Sequence, residues 1–284
     1  HKGDRGRVLV VAGSRRRSGA ARLAGWGALR GGAGLVTIAT PDEVQPIVAR
    51  DLPCAMTLPL PARKGAFALG GAARAREHAA EADAVAVGPG LTMDAASFLR
   101  RLLKGIAVPL VLDADALNIL AAEPGLLDAT EAPRVLTPHP GEAARLLGEP
   151  VGDKRDERTK AAAALADRFH CTAVLKGAGT LVCDGDRCYV NRTGNPGMAT
   201  GGTGDVLAGL VAARLAQGAD PFEAAVQATW IHGRAGDLAA AAVGENAMIA
   251  TDLVANLAAA VAELTEPAPE AGASPRGRAS RRRR

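Results

Sequence analysis

Short apolar runs that stop at glycine, proline or acidic residues recur along the chain, and most are followed by a stretch with helical spacing. Arg7 to Ala12 is apolar and β-branched and stops at Gly13-Ser14, and Ser18 to Arg30 follows as a helix rich in Ala and Gly. Leu35 to Ala39 gives a second strand closed by Thr40-Pro41, after which about forty residues carry little pattern. Ala84 to Val87 predicts a third strand, running into Gly88-Pro89-Gly90-Leu91, with a helix over Ala95 to Lys104. Val108 to Leu112 ends in Asp113-Ala114-Asp115 before a helix from Ala116. Arg134 to Leu136 ends in Thr137-Pro138-His139-Pro140-Gly141-Glu142 before a helix through Leu147. Asp156 to Phe169 is helical, and the strand Thr172 to Leu175 ends in Lys176-Gly177-Ala178-Gly179-Thr180. Leu181 to Cys183 and Arg187 to Asn191 predict a hairpin around Asp184-Gly185. Three helices close the pattern: Val206 to Gln217, Pro221 to Val243 and Thr251 to Leu264.

Strand, loop and helix thus repeat at least five times, which argues for a mostly parallel sheet with helices on both faces, one α/β domain over residues 1–265. Each polar or glycine-rich cluster falls where a strand ends, the edge at which open α/β sheets bind ligands. Residues 266–284 hold Pro, Gly, Ser and Arg with nothing to bury and are expected to be a disordered basic tail.

Composition sharpens this picture in two places. Hydrophobic residues make up 48% of the 284 and aromatics only 2%, so the interior must be built from Ala, Val and Leu. The net charge of +4 falls to about −2 without the six tail arginines, which excludes a generally nucleic-acid-binding body. No apolar run has the length of a membrane span and no signal peptide is visible, so a cytoplasmic protein is expected. The four cysteines contain no CxxC pair; Cys183 and Cys188 can face each other across the hairpin, but reduced structural thiols are expected at all four.

The densest chemistry lies in Gly194-Asn195-Pro196-Gly197 through Gly201-Gly202-Thr203-Gly204-Asp205, directly before a helix. Glycines and a helix N-terminus prepare an anion site, since free N–H groups and the helix dipole both favour negative charge. A carboxylate there repels phosphate as a ligand, so Asp205 reads as a base acting on a hydroxyl while the amides of Gly202, Thr203 and Gly204 hold a phosphate. The plainer reading makes Asp205 a first-turn carboxylate that stabilises the helix by roughly 1 kcal/mol. The loop is no Walker A sequence, because Thr203 stands where that motif has Lys, and a dinucleotide fingerprint fails at Leu207. His139, clamped by two prolines, is either presented from a stiff loop or simply satisfied there; Glu142 suits hydrated Mg²⁺ or a helix dipole. One of Asp113 and Asp115 is expected to cap the next helix. Lys176 to Thr180 suits a nucleotide phosphate, and the basic Arg15-Arg16-Arg17 reads as a solvated loop or an added phosphate contact.

Gly19-Ala20, Gly88-Pro89-Gly90-Leu91, Leu112 to Asn118, Thr137 to Glu142, Lys176 to Thr180 and Asn195 to Asp205 occur in the order found in the ADP/ATP-dependent NAD(P)H-hydrate dehydratases, which the chain resembles from about Lys2 to Leu264. The resemblance implies a ribokinase-like three-layer α/β/α sandwich and a repair enzyme that dehydrates the S epimer of hydrated NADH or NADPH, consuming ADP, or ATP in eukaryotic members. It implies that Asp205 deprotonates the ring hydroxyl, with Gly202, Thr203 and Gly204 stabilising the phosphoryl group. Ala20, Gly88, Gly90 and His139 would contact the hydrated nicotinamide nucleotide; Lys176, Gly177, Ala178, Gly179, Thr180 and Gly204 the adenine nucleotide; and Glu142 would place Mg²⁺. A homo-oligomer, expected as a tetramer, and a functional pairing with an NAD(P)H-hydrate epimerase are further implications, with no nucleic-acid or membrane partner. Thr92 departs from the family, which usually has Gly there. The rival readings are a ribokinase-like kinase for a vitamin precursor and a non-catalytic nucleotide-binding protein.

Overall fold

In strand β1 (Arg7–Val11) of the computed structural model, which describes residues 5–265, Val8 and Val10 join the core on one side of a sheet and Leu9 and Val11 the core on the other. This two-sided burial explains the unbroken apolar run. The chain continues through α1 (Ser18–Arg30), β2 (Leu35–Pro41), α2 (Gln45–Asp51), β3 (Met56–Leu60), the short β4 (Ala62–Arg63) and β5 (Ala66–Phe67), and α3 (Ala72–Ala80). Next come β6 (Ala84–Val87), α4 (Ala96–Leu103), β7 (Leu110–Leu112), α5 (Asp115–Ala122), β8 (Arg134–Leu136), α6 (Pro140–Leu147) and α7 (Arg155–Phe169). The last elements are β9 (Thr172–Leu175), β10 (Leu181–Cys183), β11 (Cys188–Val190), α8 (Thr203–Ala216), α9 (Pro221–Val243) and α10 (Ala250–Thr265).

Nine strands form one sheet in the order β11-β10-β9-β8-β7-β6-β1-β2-β3, parallel from β9 to β3, with β10 and β11 antiparallel. Helices α3 to α7 cover one face and α1, α2, α8, α9 and α10 the other, giving the expected three layers. Small residues let α1 and α8 touch backbone to backbone. A Cβ on Gly27 would lie 2.2 Å from the Val206 carbonyl oxygen, and one on Gly209 would lie 2.0 Å from that of Ala24.

Three differences from the sequence reading have physical causes. The weakly patterned stretch holds α2, β3, the β4–β5 hairpin and α3; β3 carries Pro59, which an edge strand tolerates because its missing N–H breaks no ladder. Two helices start earlier than the pattern suggests: α6 begins at Pro140, opened by a His139–Glu142 capping box, and α8 begins at Thr203, which puts Asp205 in the first turn. Cys183 and Cys188 are not reduced thiols but a disulfide, because hairpin pairing sets them directly opposite at a Cα separation of 4.3 Å. Cys54 and Cys171 are free thiols. The expected tail, 266–284, lies outside the described residues. Among the described residues no helix is long and apolar enough to cross a membrane.

Candidate active site

Hydrogen bonds between neighbouring strand ends set the sequence clusters side by side. The amide of Gly13 donates to Pro89 O (2.8 Å), Asp113 to Val87 O (3.1 Å), Thr137 to Leu112 O (3.1 Å) and Lys176 to Pro138 O (2.9 Å). Gly88 is needed for this closeness: it adopts φ +132°, and a Cβ there would stand 1.8 Å from the Asp113 carbonyl oxygen.

At the centre of the rim Asp113 is 1% exposed and accepts from both Lys176 Nζ (2.6 Å) and Thr137 Oγ1 (2.7 Å). Neither Asp113 nor Asp115 caps α5, whose N-cap is Ala114 with no side-chain bond; Asp113 is occupied by Lys176, and Asp115 by the Arg17 guanidinium and the Thr92 amide (2.9 Å). Burial alone would lower the Lys176 pKa, but Asp113, Glu142 and Asp205 outweigh it and raise it, so the ammonium stays charged. Lys176 also approaches Glu142 Oε2 at 3.9 Å. Glu142 and His139 form a capping box at the start of α6: His139 Nδ1 accepts from Gly141 N (3.0 Å) and Glu142 N (3.3 Å), and Glu142 Oε2 accepts from His139 N (2.8 Å). Desolvation, then Lys176 and Arg145, lower the His139 pKa, which keeps Nδ1 free to accept and leaves the proton on Nε2. Desolvation raises the Glu142 pKa, with Lys176 opposing.

Gly204 adjoins this group, since a Cβ on it would lie 3.3 Å from Lys176 Nζ. The amides of Gly202, Thr203 and Gly204 donate to no acceptor among the described residues, as befits the first turn of α8. Asp205 follows them, and its side chain has no hydrogen bond or ion pair among the described residues; burial, then Asp113, push its carboxyl up to about 7 against Lys176. Favourable interaction with the helix dipole alone would lower the pKa of a first-turn acid, the opposite of the direction at Asp205.

Gly90 meets Ala20, with a Cβ on Gly90 falling 3.0 Å from both Ala20 Cβ and Arg17 Cβ. Thr92, in place of the usual Gly, adopts φ 69°, a conformation uncommon for a β-branched residue, while its amide reaches Asp115. Arg15, Arg16 and Arg17 are all exposed, and Arg17 alone of the three holds Asp115 from the solvent side. Gly177, Ala178 and Gly179 form an exposed turn beyond Lys176, with Gly177 at φ +132°, Gly179 at φ +61° and Thr180 Oγ1 donating to Gly177 O (3.0 Å).

Sequence reasoning missed the supports of this site. Arg158 of α7 donates to the carbonyls of Ala178, Leu175 and Lys176 and so shapes the turn. His232 of α9 bonds Thr203 O through Nε2 (2.8 Å), with burial lowering its pKa to about 4, and Asp237 accepts from Gly194 N (3.0 Å) and Asn195 Nδ2 (3.2 Å). Residues 232 and 237 are five apart, about 140° around the helix, and no same-face spacing marks them as loop anchors.

Sheet order, layers and a helix N-terminus beside an acidic side chain define a ribokinase-like α/β/α protein. The particular family follows from comparison: the model described as NAD(P)H-hydrate dehydratase matches residues 8–258, and the chain belongs to that family. It is 46% identical over 258 residues to a bifunctional NAD(P)H-hydrate repair enzyme of Moorella thermoacetica, covering 89% of this chain and 49% of that protein. It is 38% identical to an ADP-dependent (S)-NAD(P)H-hydrate dehydratase of Xanthomonas campestris, covering 89% of this chain and 86% of that one. An ADP/ATP-dependent NAD(P)H-hydrate dehydratase from Bacillus subtilis, co-crystallized with ATP and Mg²⁺, superposes with a TM-score of 0.75 at 32% identity, covering 93% of this chain and 91% of that one. The chain spans about half the length of the bifunctional relatives it matches.

Proposed function

We propose that the protein dehydrates the S epimer of hydrated NADH or NADPH, converting ADP to AMP and phosphate. The observation that carries this reading is Asp205, an unpartnered carboxylate with a pKa of about 7 beside three free amides. Asp205 takes the proton of the ring hydroxyl as that oxygen attacks the terminal phosphorus of ADP. The amides of Gly202, Thr203 and Gly204, with Lys176 alongside, stabilise charge on the transferring phosphoryl group. The ring nitrogen then donates its electron pair, the C–O bond to phosphate breaks, a ring proton is lost and the double bond of the reduced nicotinamide is restored. Phosphorylation turns a poor leaving group into a good one, dividing one difficult elimination into two easier steps.

In this reading Ala20, Gly88, Gly90 and His139 bind the hydrated ring's nucleotide, and Lys176 to Thr180 with Gly204 bind ADP. Among the described residues no three His, Cys, Asp or Glu side chains gather as a metal cage, and Glu142 already accepts the His139 amide. That donor set fits Mg²⁺ only as a hydrated ion; Glu142 would be its protein-side carboxylate, and the ion would supply neutralising charge to nucleotide phosphates. A cytoplasmic homotetramer working alongside an epimerase completes the proposal. The test is incubation with hydrated NADH, Mg²⁺ and either ADP or ATP while following reduced-nicotinamide absorbance. Recovery with ADP is expected, and no recovery with either nucleotide rejects the reading.

A further inference from the structure

Arg15-Arg16 and the β4–β5 hairpin have no part in the reaction above, yet the fold binds them together beside it. The Arg15 amide donates to the Gly65 carbonyl at the hairpin tip (2.8 Å), and a Cβ on Gly65 would lie 2.5 Å from Arg15 Cβ. Lys64 turns the hairpin at φ 55°, and both Arg63 and Lys64 are exposed, with no side-chain hydrogen bond or ion pair among the described residues. Under the hairpin lies a cavity of about 250 Å³ whose lining includes Arg63, Lys64, Phe67, Asp94, Ser97 and Phe98. Its floor is apolar, built on the Phe67 and Phe98 rings stacked at 4.6 Å between centroids. Its mouth is cationic, and Asp94 and Ser97 add a carboxylate and a hydroxyl.

The hairpin tip is tied toward the Ala20–Gly90 junction through Arg15, two residues before Arg17, whose Cβ would lie 3.0 Å from a Cβ on Gly90. Asp94 follows Gly90 by four residues, at most about 14 Å of chain. Its volume is below the roughly 300–1,000 Å³ of pockets that enclose a whole ligand, so it suits one end of a larger molecule. A phosphorylated nucleoside matches each part of the lining: cations for phosphate, a carboxylate for a ribose hydroxyl, and the exposed Leu69 side chain for a base, with the buried Phe67 and Phe98 behind it. The Lys176 turn follows β9, whereas this hairpin follows β3, so the two sites stand toward opposite ends of the parallel rim and two nucleotides need not compete.

We propose that this cavity, with Arg63 and Lys64 at its mouth, grips the phosphates of the adenosine half of the dinucleotide whose nicotinamide half lies at Asp205. The inference rests on the hydrate-repair reading for the identity of that dinucleotide.

The test is the double variant Arg63→Gln/Lys64→Gln, with an unchanged unfolding transition as the folding control. Binding of NADPH, NADH and ADP is measured by calorimetry, and KM for hydrated NADPH and for ADP by turnover. NADPH affinity should fall about tenfold, as for lost hydrogen bonds to charged groups, and KM for hydrated NADPH should rise by a similar factor. The kcat, KM for ADP and ADP affinity should not move. A fall shared by NADH places the cations on the pyrophosphate and one confined to NADPH places them on the 2′-phosphate; both support the assignment. Unchanged dinucleotide affinity, an equal fall for ADP, or no NADPH binding by the wild-type protein overturns it. Should the wild-type protein bind NADPH but fail to turn over either hydrate, the reaction reading falls while the binding measurements still decide this one.

Discussion

Replacing Asp205 by Asn tests catalysis and stability with one substitution. In the folded protein burial and Asp113 hold the Asp205 carboxyl at about 7, against an ordinary value of 3.8. Because the folded pKa is raised, the native state keeps a proton that the unfolded chain has released. The stabilising contribution is full below the unfolded value and is lost as pH rises through about 7. Above that pH the ionised group costs stability; at about 1.4 kcal/mol per unit, a shift of roughly three units sets a ceiling near 4 kcal/mol. Asn keeps the shape without the charge. Asp205→Asn should therefore be about 2–4 kcal/mol more stable than wild type near pH 8, with the gain fading toward about pH 4. It should meanwhile lose about two to four orders of magnitude in turnover, the contribution of a general base. Wild-type turnover should climb through pH values near 7 as the base ionises. Urea unfolding of both proteins at the two pH values, beside the hydrate assay, checks all of this. A variant less stable than wild type near pH 8, or one that keeps wild-type turnover, refutes the account of Asp205.

Asp113→Ala strips the partner from an ammonium whose side chain is only 19% exposed, so about 3–5 kcal/mol of stability should vanish in chemical unfolding. Pairing it with Lys176→Met should restore much of the stability but none of the activity. His139→Ala removes the acceptor for two helix-start amides and should cost about 1 kcal/mol, whereas His139→Asn retains a cap; both should raise KM for the hydrate. Gly88→Ala meets a carbonyl oxygen at 1.8 Å from a backbone that disfavours side chains, and a loss of about 2–4 kcal/mol in thermal unfolding is expected.

The parallel core and its rim were legible because every central strand is an uninterrupted apolar run that stops at its functional cluster. His139 and Lys176 could be placed on that rim for this reason, whereas Asp205 drew notice through the glycine-rich loop before α8. Pattern failed where burial is one-sided: β3, with Pro59 and an exposed Met56, carries too little apolar signal, and the hairpin after it is only two short strands. The sulfur bridge between Cys183 and Cys188 was hidden by an argument about compartments, although hairpin register alone brought the two residues face to face. Asp113 shows a different limit. Two acids at a strand end fit helix caps equally well in sequence, and only the fold delivers a lysine from two strands away.

The close contact of α1 with α8 makes a rigid ruler. Ala20 lies in the first turn of one helix and Asp205 in that of the other, and glycine-sized gaps lock the two backbones together rather than leaving compressible side chains between them. Trimming side chains along the seam therefore cannot widen the slot between those ends. Accommodating a bulkier ring would require lengthening or re-pitching a whole helix, which makes the gauge of this slot one of the protein's least adjustable dimensions.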